Sequence, residues 1–91
     1  GGNDTLLVDG HFPSPQIHRL FNVRNSLGLS DALTQQATAM DVIIPTAYDH
    51  LFVVTNGNRS NVQVSYEGEM IDKVLRFYSR GFNYIIFDGA A

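Results

Sequence analysis

The sequence contains no cysteine, no cluster of basic residues and no long apolar run. Without cysteine, disulfides, thiolate nucleophiles and thiolate zinc sites are excluded. The six lysines and arginines are scattered, so we expect no nucleic-acid surface, which needs grouped cations to neutralise phosphates. No run approaches the roughly 20 apolar residues of a membrane span, and no signal-peptide pattern opens the chain. We therefore expect a cytoplasmic protein with no membrane insertion.

Three short apolar runs predict buried strands: Thr5–Asp9 (TLLVD), Leu51–Thr55 (LFVVT) and Tyr84–Asp88 (YIIFD). Each is apolar on both faces, which is typical of central strands in a parallel sheet. Segments with helical patterns separate them, so the order is strand, helices, strand, helix, strand. This order predicts an α/β fold, a three-layer parallel sheet with flanking helices. The 91 residues, 44% of them hydrophobic, predict one domain over residues 1–91 with a single modest core.

Apolar spacing and capping residues predict the helices. A short helix is expected over residues 16–22, and a second from Ser30 as N-cap through Gln36. The clearest is residues 67–80, where apolar side chains recur on one face. Gly81 fits the left-handed position that often follows a helix end.

Asn56-Gly57 permits two interpretations. Asn-Gly between apolar runs favours a hairpin turn, and residues 61–66 alternate apolar and polar as a hairpin partner would. Alternatively, the pair leads from the middle strand toward the helix at 67–80. The local sequence does not separate these alternatives.

Two of the predicted strands end in an acid, Asp9 and Asp88. In open α/β sheets, ligands bind outside the carboxyl ends of the strands. If the two strands are neighbours, the pair could hold a hydrated magnesium ion, which takes one or two carboxylates plus phosphates and water. The alternative is that each acid is only the polar end of a buried strand.

The other candidate sites are weaker. Asp9, His11 and His18 could form a metal-binding trio across the proline-containing loop. Asp49-His50 resembles an acid–base pair, but no nucleophile accompanies it. No serine lies in a GxSxG context, so hydrolase chemistry is not expected.

Several segments, taken together, resemble a known family. They are the strand Leu6-Leu7-Val8-Asp9, Pro15 after it, Gly28-Leu29-Ser30-Asp31, residues 51–57 (LFVVTNG) and residues 82–91 (FNYIIFDGAA). In this order they resemble the P-loop kinase domain of bacterial tyrosine autokinases of exopolysaccharide and capsule synthesis, which are related to the MinD and ParA ATPases. The resemblance implies that Asp9 is the Walker A′ acid and Asp88 the Walker B acid, with catalytic and magnesium-binding roles. It implies Mg-ATP as the cofactor of the family.

The departures from the family pattern are as informative. His11 and Pro13 stand where the family has an acid and an arginine, and the 91 residues contain no GxxxxGK[ST] loop. That loop cradles the phosphates with backbone N–H groups and a lysine. We therefore expect an incomplete P-loop NTPase-like core that by itself binds no cofactor and does not turn over ATP.

Two functions follow from this resemblance. The chain is either a segment or degenerate relative of an autokinase, or a non-catalytic interaction module of the polysaccharide synthesis and export machinery. The second role implies a protein partner at the inner face of the membrane. Exposed strand edges in an incomplete sheet would also favour self-association.

Overall fold

Four strands and three helices follow one another in a computed structural model that describes residues 3–10, 16–57 and 68–89. They are β1 (Thr5–Gly10), α1 (Ile17–Leu20), α2 (Leu29–Leu33), β2 (Ile43–Pro45), β3 (Leu51–Val54), α3 (Glu69–Ser79) and β4 (Tyr84–Gly89). Within the described residues, no helix has the length and apolar character needed to cross a membrane.

The strands form one sheet in the order β2-β3-β1-β4. The three strands predicted from apolar runs are confirmed, and they are parallel to one another as expected. Central β1 pairs with β3 on one side, with Leu7 opposite Val53, and with β4 on the other, with Leu7 opposite Ile86. Non-consecutive strands thus become neighbours, which requires the helical crossovers of an α/β fold.

The fourth strand, β2, is absent from the sequence-based expectations. It pairs antiparallel with β3, with Ile44 opposite Val53, so the sheet is mixed. β3 therefore has a strand on each side, and neither of its edges is open to a hairpin partner following Asn56-Gly57. The alternating segment 61–66 itself lies outside the described residues.

Helices α2 and α3 cover one face of the sheet. Because side chains alternate along a strand, Leu6 and Val8 point to the same face, and both are fully buried. The core they join also contains residues from α2, β3 and α3 and the residue just before β2: Leu29, Ala32, Leu33, Val42, Val54, Ile71, Val74 and Tyr78. The periodicity that predicted α3 is confirmed by its buried residues, which are Ile71, Val74 and Tyr78.

The helix ends differ from the predictions. Helix α2 is five residues long, and its N-cap is Gly28, so Ser30 lies inside the first turn and not before it. The prediction of a left-handed Gly81 is wrong: α3 ends at an αR residue, Arg80, and only Gly57 and Gly68 have positive φ among the described glycines. The amide of Gly81 instead donates to the Tyr78 carbonyl oxygen at 3.0 Å, which closes the last turn.

Tyr78 connects α3 to the segment before β2. Its side chain is 1% exposed, and its hydroxyl donates to the carbonyl oxygen of Ala39 at 2.8 Å. Burial disfavours the phenolate and raises the pKa of Tyr78.

Removing this hydroxyl by Tyr78→Phe should lower the free energy of unfolding by about 1 kcal/mol at neutral pH, because one buried hydrogen bond is lost. The unfolded chain releases the phenolic proton near pH 10, whereas the folded chain retains this proton to a higher pH. The stability that Tyr78 contributes is therefore complete below about pH 10 and falls as the pH rises toward the folded-state pKa.

Urea denaturation at neutral pH and at about pH 11 would measure both effects. The difference in the free energy of unfolding between the original chain and Tyr78→Phe should be smaller at the higher pH. Tyr48→Phe, at a 66% exposed position, is the matched control. A difference that stays constant with pH would contradict the conclusion that burial raises the pKa of Tyr78.

Candidate functional site

Asp9 and Asp88 end two neighbouring strands. β1 and β4 are parallel, and the two residues are partners in the register of the ladder. Adjacent strands lie about 4.8 Å apart, and residues in register point to the same face of the sheet. The backbone therefore brings both acids to one place at the carboxyl edge of the sheet. Asp9 is fully buried, whereas Asp88 is exposed.

The Asp9 carboxylate is held by the start of α1. Its Oδ2 accepts hydrogen bonds from the amides of Gln16, at 3.1 Å, and Ile17, at 3.2 Å. These amides have no partner within the helix, and an acid at a helix start satisfies them. Asn56 Nδ2 donates to the Asp9 carbonyl oxygen at 3.3 Å. Asp9 is thus fixed in orientation by main-chain groups and by the residue that follows β3.

Next to Asp9, the start of α2 is bonded to the end of β3. The Leu29 amide donates to the Thr55 carbonyl oxygen at 2.7 Å. The Asn56 carbonyl oxygen accepts from both the amide of Ser30, at 3.0 Å, and its Oγ, at 2.8 Å. Ser30, Thr55 and Asn56 are all buried. Such groups are costly to bury unless they are paired. Here Ser30 pairs with Asn56, and Thr55 pairs with the residues at the start of α2.

Two further contacts close this network. Asn25 accepts from the Gly57 amide through Oδ1 at 2.6 Å and donates to the Gly57 carbonyl oxygen through Nδ2 at 3.2 Å. Asp31, which is 1% exposed, accepts from the Gly28 amide at 2.8 Å. We call residues 25, 28–31 and 55–57 the rim network. It joins two segments about thirty residues apart and supports Asn56 beside Asp9.

Sequence reasoning assigned no site role to most of the rim network. Gly28-Leu29-Ser30-Asp31 predicts a helix start and is part of the family resemblance, and Asn56-Gly57 predicts either a hairpin turn or the lead toward the helix at 67–80. The available signal was the concentration of Asn, Gly and Ser at two strand or helix boundaries. That signal does not show which boundary contacts which.

The remaining candidates do not gather into a site. His50 Nδ1 lies 2.9 Å from Asp4 Oδ1, at the amino end of the sheet, away from Asp9. The trio of Asp9, His11 and His18 is not tested as a whole, because His11 lies outside the described residues. Within the part of the chain that the structure describes, no three His, Asp or Glu side chains are grouped closely enough to hold a metal ion.

Asp9 and Asp88 thus offer two carboxylates, one fixed and one exposed to solvent. This donor set fits a hydrated magnesium ion, which keeps most of its water and takes further oxygens from phosphates. Zinc and calcium usually take more of their ligands from the protein than these two carboxylates supply.

The chain is similar in sequence or in fold to several known proteins. The sequence is 36% identical over 56 residues to CapB of Staphylococcus aureus, a tyrosine-protein kinase by name, over 62% of this chain. The structure superposes on the crystal structure of the chimerical protein CapA2B2 with a TM-score of 0.83 and 29% identity over 97% of this chain. MinD of Pyrococcus horikoshii in complex with Mg-ADP shares the fold, with a TM-score of 0.78 and 20% identity over 99% of this chain. No family model matches the sequence.

These similarities cover only part of the other proteins. The matched region is 25% of CapB, and this chain covers 39% of the CapA2B2 chain and 37% of the MinD chain. The fold, the order of the motifs and the sequence similarity agree with one another. The chain is therefore similar in sequence to part of CapB, and its fold is that of part of the CapA2B2 and MinD chains.

Proposed function

We propose that this chain is the segment of a tyrosine autokinase that supplies the two acids of the magnesium–nucleotide site, Asp9 as the Walker A′ residue and Asp88 as the Walker B residue. The observation that carries the proposal is the pairing of these acids in register on adjacent parallel strands. The similarity to CapB and CapA2B2 supports the same assignment.

The two acids would have different tasks. Asp88 is exposed and would contact the hydrated ion or a water beside it, whereas Asp9 is buried and fixed by two amides. A fixed carboxylate orients its neighbours without reorganisation, which is the main contribution of a protein to phosphoryl transfer. Magnesium, when bound with the nucleotide, would neutralise charge on the phosphates.

The 91 residues lack the other half of such a site. They contain no GxxxxGK[ST] loop, so no lysine and no cradle of amides are provided for the phosphates. The chain by itself is therefore expected to bind Mg-ATP too weakly for titration calorimetry to detect. Further strands could join the sheet beside β4. This strand pairs with β1 on one edge, and no described strand pairs with its other edge.

The test uses the complete reading frame that encodes these residues, expressed as the original sequence and as the Asp9→Asn, Asp88→Asn and Asp72→Asn variants. Mg-ATP affinity would be measured by calorimetry and tyrosine phosphorylation by mass spectrometry. Asp88→Asn should weaken Mg-ATP binding on the order of 10–100-fold, as the loss of a group that orients a metal typically does. Asp72→Asn, an exposed acid on α3, should change nothing.

A second function has its own supporting observation. Tyr84 and Ile86 are 59% and 54% exposed on β4, so the face of β4 opposite the core carries apolar side chains that a partner protein would cover. On this reading the chain is a non-catalytic interaction module, with a partner in the polysaccharide synthesis and export machinery at the cytoplasmic face of the membrane.

The Asp9→Asn and Asp88→Asn variants, together with Ile86→Lys, separate the two functions. If the complete protein has no phosphate-binding loop and no affinity for Mg-ATP, the kinase assignment is wrong. If Ile86→Lys abolishes association of the chain with itself or a partner while Asp9→Asn and Asp88→Asn leave it intact, the interaction module is favoured. Loss of association in the Asp variants alone would contradict that second function.

A further inference from the structure

A groove runs along α3, and neither Asp9 nor Asp88 is among the residues that line it. It consists of two adjoining cavities of about 830 and 460 Å³ that share Met40 and Phe77. The larger lies between α3 and residues 35–41, and the smaller extends to β2 and to the aromatic rings of Phe52 and Phe82. We call the two together the α3 groove. Cavities of this size accommodate large side chains of a bound segment.

The walls of the α3 groove are fixed by hydrogen bonds. The amides of Gln36 and Ala37 donate to the Asp31 carbonyl oxygen at 2.8 and 3.2 Å, which holds the chain just after α2. Tyr78 holds the same segment further along, through its bond to Ala39. A groove with fixed walls costs little ordering free energy when a ligand enters.

The floor of the α3 groove is apolar and remains accessible. Met40 is 61% exposed and Phe77 is 41% exposed, although both are large apolar side chains. Met40 and Phe77 lie where the two cavities join. A single apolar side chain that entered there would therefore cover both residues.

The residues that line the α3 groove include more cations than acids, although the protein as a whole is acidic, with a net charge of −3. Lys73 and Arg80 line the groove, and Asp41 is the one acid among the described residues that line it. The spacing of Glu69 and Lys73 would permit an ion pair along α3, but these two side chains form none, and no described carboxylate lies within ion-pair distance of Lys73 or Arg80. Both cations are therefore available to an external anion.

From this combination we infer that the α3 groove binds an acidic, amphipathic segment of a partner protein. Its apolar side chains would enter the two cavities, and its carboxylates would pair with Lys73 and Arg80. Amphipathic segments recognise apolar grooves in this way, with anchors at helical spacing, and complementary charge selects the partner and speeds association. The site is separate from the two carboxylates of the proposed kinase function and does not depend on that function.

The test is fluorescence anisotropy with a labelled helical peptide that has leucines along one side and glutamates along the other, added to the 91-residue chain. We expect a dissociation constant on the order of 1–100 μM, which rises with salt because the pairs are exposed. A peptide with lysine at every glutamate position should bind at least about tenfold more weakly, since like charges then oppose each other.

Variants of the chain locate the binding. The double variant Lys73→Glu with Arg80→Glu should weaken binding about tenfold or more, and Phe77→Ser should weaken it through loss of the apolar anchor contact. Arg19→Glu, an exposed cation on α1, should leave the dissociation constant unchanged. All four positions are exposed, so circular dichroism should show an intact fold in each variant.

Three results would overturn the proposal. The first is equal affinity for the glutamate and lysine peptides. The second is a loss of affinity with Arg19→Glu that equals the loss with the double variant Lys73→Glu and Arg80→Glu. The third is a concentration-dependent dimer, seen by light scattering, that Phe77→Ser abolishes while no peptide binds, since the occupant would then be a second copy of the chain.

Discussion

Gly28→Ala is expected to destabilise the protein by about 3 kcal/mol, at the upper end of the cost of overpacking a closed interior. A methyl group at this position would overlap the Thr55 carbonyl oxygen and the Gly57 amide nitrogen, and it would lie 2.7 Å from the carbonyl carbon of Asn56. All three obstacles are main-chain atoms, which cannot rotate away as a side chain can.

The consequence extends along the rim network. If α2 moves outward to make room, the bonds from Leu29 and Ser30 to the end of β3 lengthen. These bonds keep Asn56 beside Asp9, so the displacement would reach the candidate site. A domain of this size has a total stability of about 5–13 kcal/mol, so a loss of this magnitude is a substantial fraction.

Urea denaturation would measure the change through the midpoint and slope of the transition. Gly81→Ala is the matched control, because no atom lies within 4 Å of the added methyl group and Gly81 has no positive φ. Its effect should stay within about 0.5 kcal/mol. Equal stability of Gly28→Ala and Gly81→Ala would show that α2 does not contact β3 as closely as described.

The central elements of this fold could be predicted because each carries its own signal. TLLVD, LFVVT and YIIFD are apolar runs too short for helices, and all three are strands. The stripe through Ile71, Val74 and Tyr78 specifies a helix with one buried face. Their order along the chain then favours a parallel sheet, because parallel strands need crossovers.

The elements that could not be predicted depend on contacts between distant residues. β2 contains only Ile43-Ile44-Pro45, and its antiparallel pairing is available only once β3 has formed. Gly28, and not Ser30, caps α2 because the backbone of residues 55–57 approaches it too closely for any side chain. That approach has no signature near residue 28.

The candidate site likewise has one part that could be predicted from the sequence and one part that could not. The pairing of Asp9 with Asp88 could be anticipated, because both end apolar runs and neighbouring parallel strands align their carboxyl ends. The rim network could not be anticipated, because Asn25 and Gly57 are 32 positions apart in the sequence. Their contact follows from the crossover and not from either local pattern.

Leu6→Ala should lower the free energy of unfolding by about 3–4 kcal/mol, within the range measured for leucines removed from closed cores. Leu6 is fully buried at the centre of the sheet, in the cluster that joins β1 to α2 and α3. Removing the three carbon atoms beyond Cβ leaves a cavity that two helices and a sheet cannot all close at once.

Leu20→Ala is the matched control, with the same chemical change at a residue that is 75% exposed. It should alter stability by no more than about 0.5 kcal/mol. Equal costs at the two positions would show that the face of β1 carrying Leu6 is not the core face.

This comparison also tests the register on which the candidate site depends. Side chains alternate along a strand, so burying Leu6 and Val8 toward the helices sends Asp9 to the other face. A slip of one residue would place Leu7 and Asp9 in the apolar core instead, where a carboxylate is costly unless it is paired. The burial of Leu6 and the position of Asp9 beside Asp88 are therefore two consequences of one register, and a large cost for Leu6→Ala supports both.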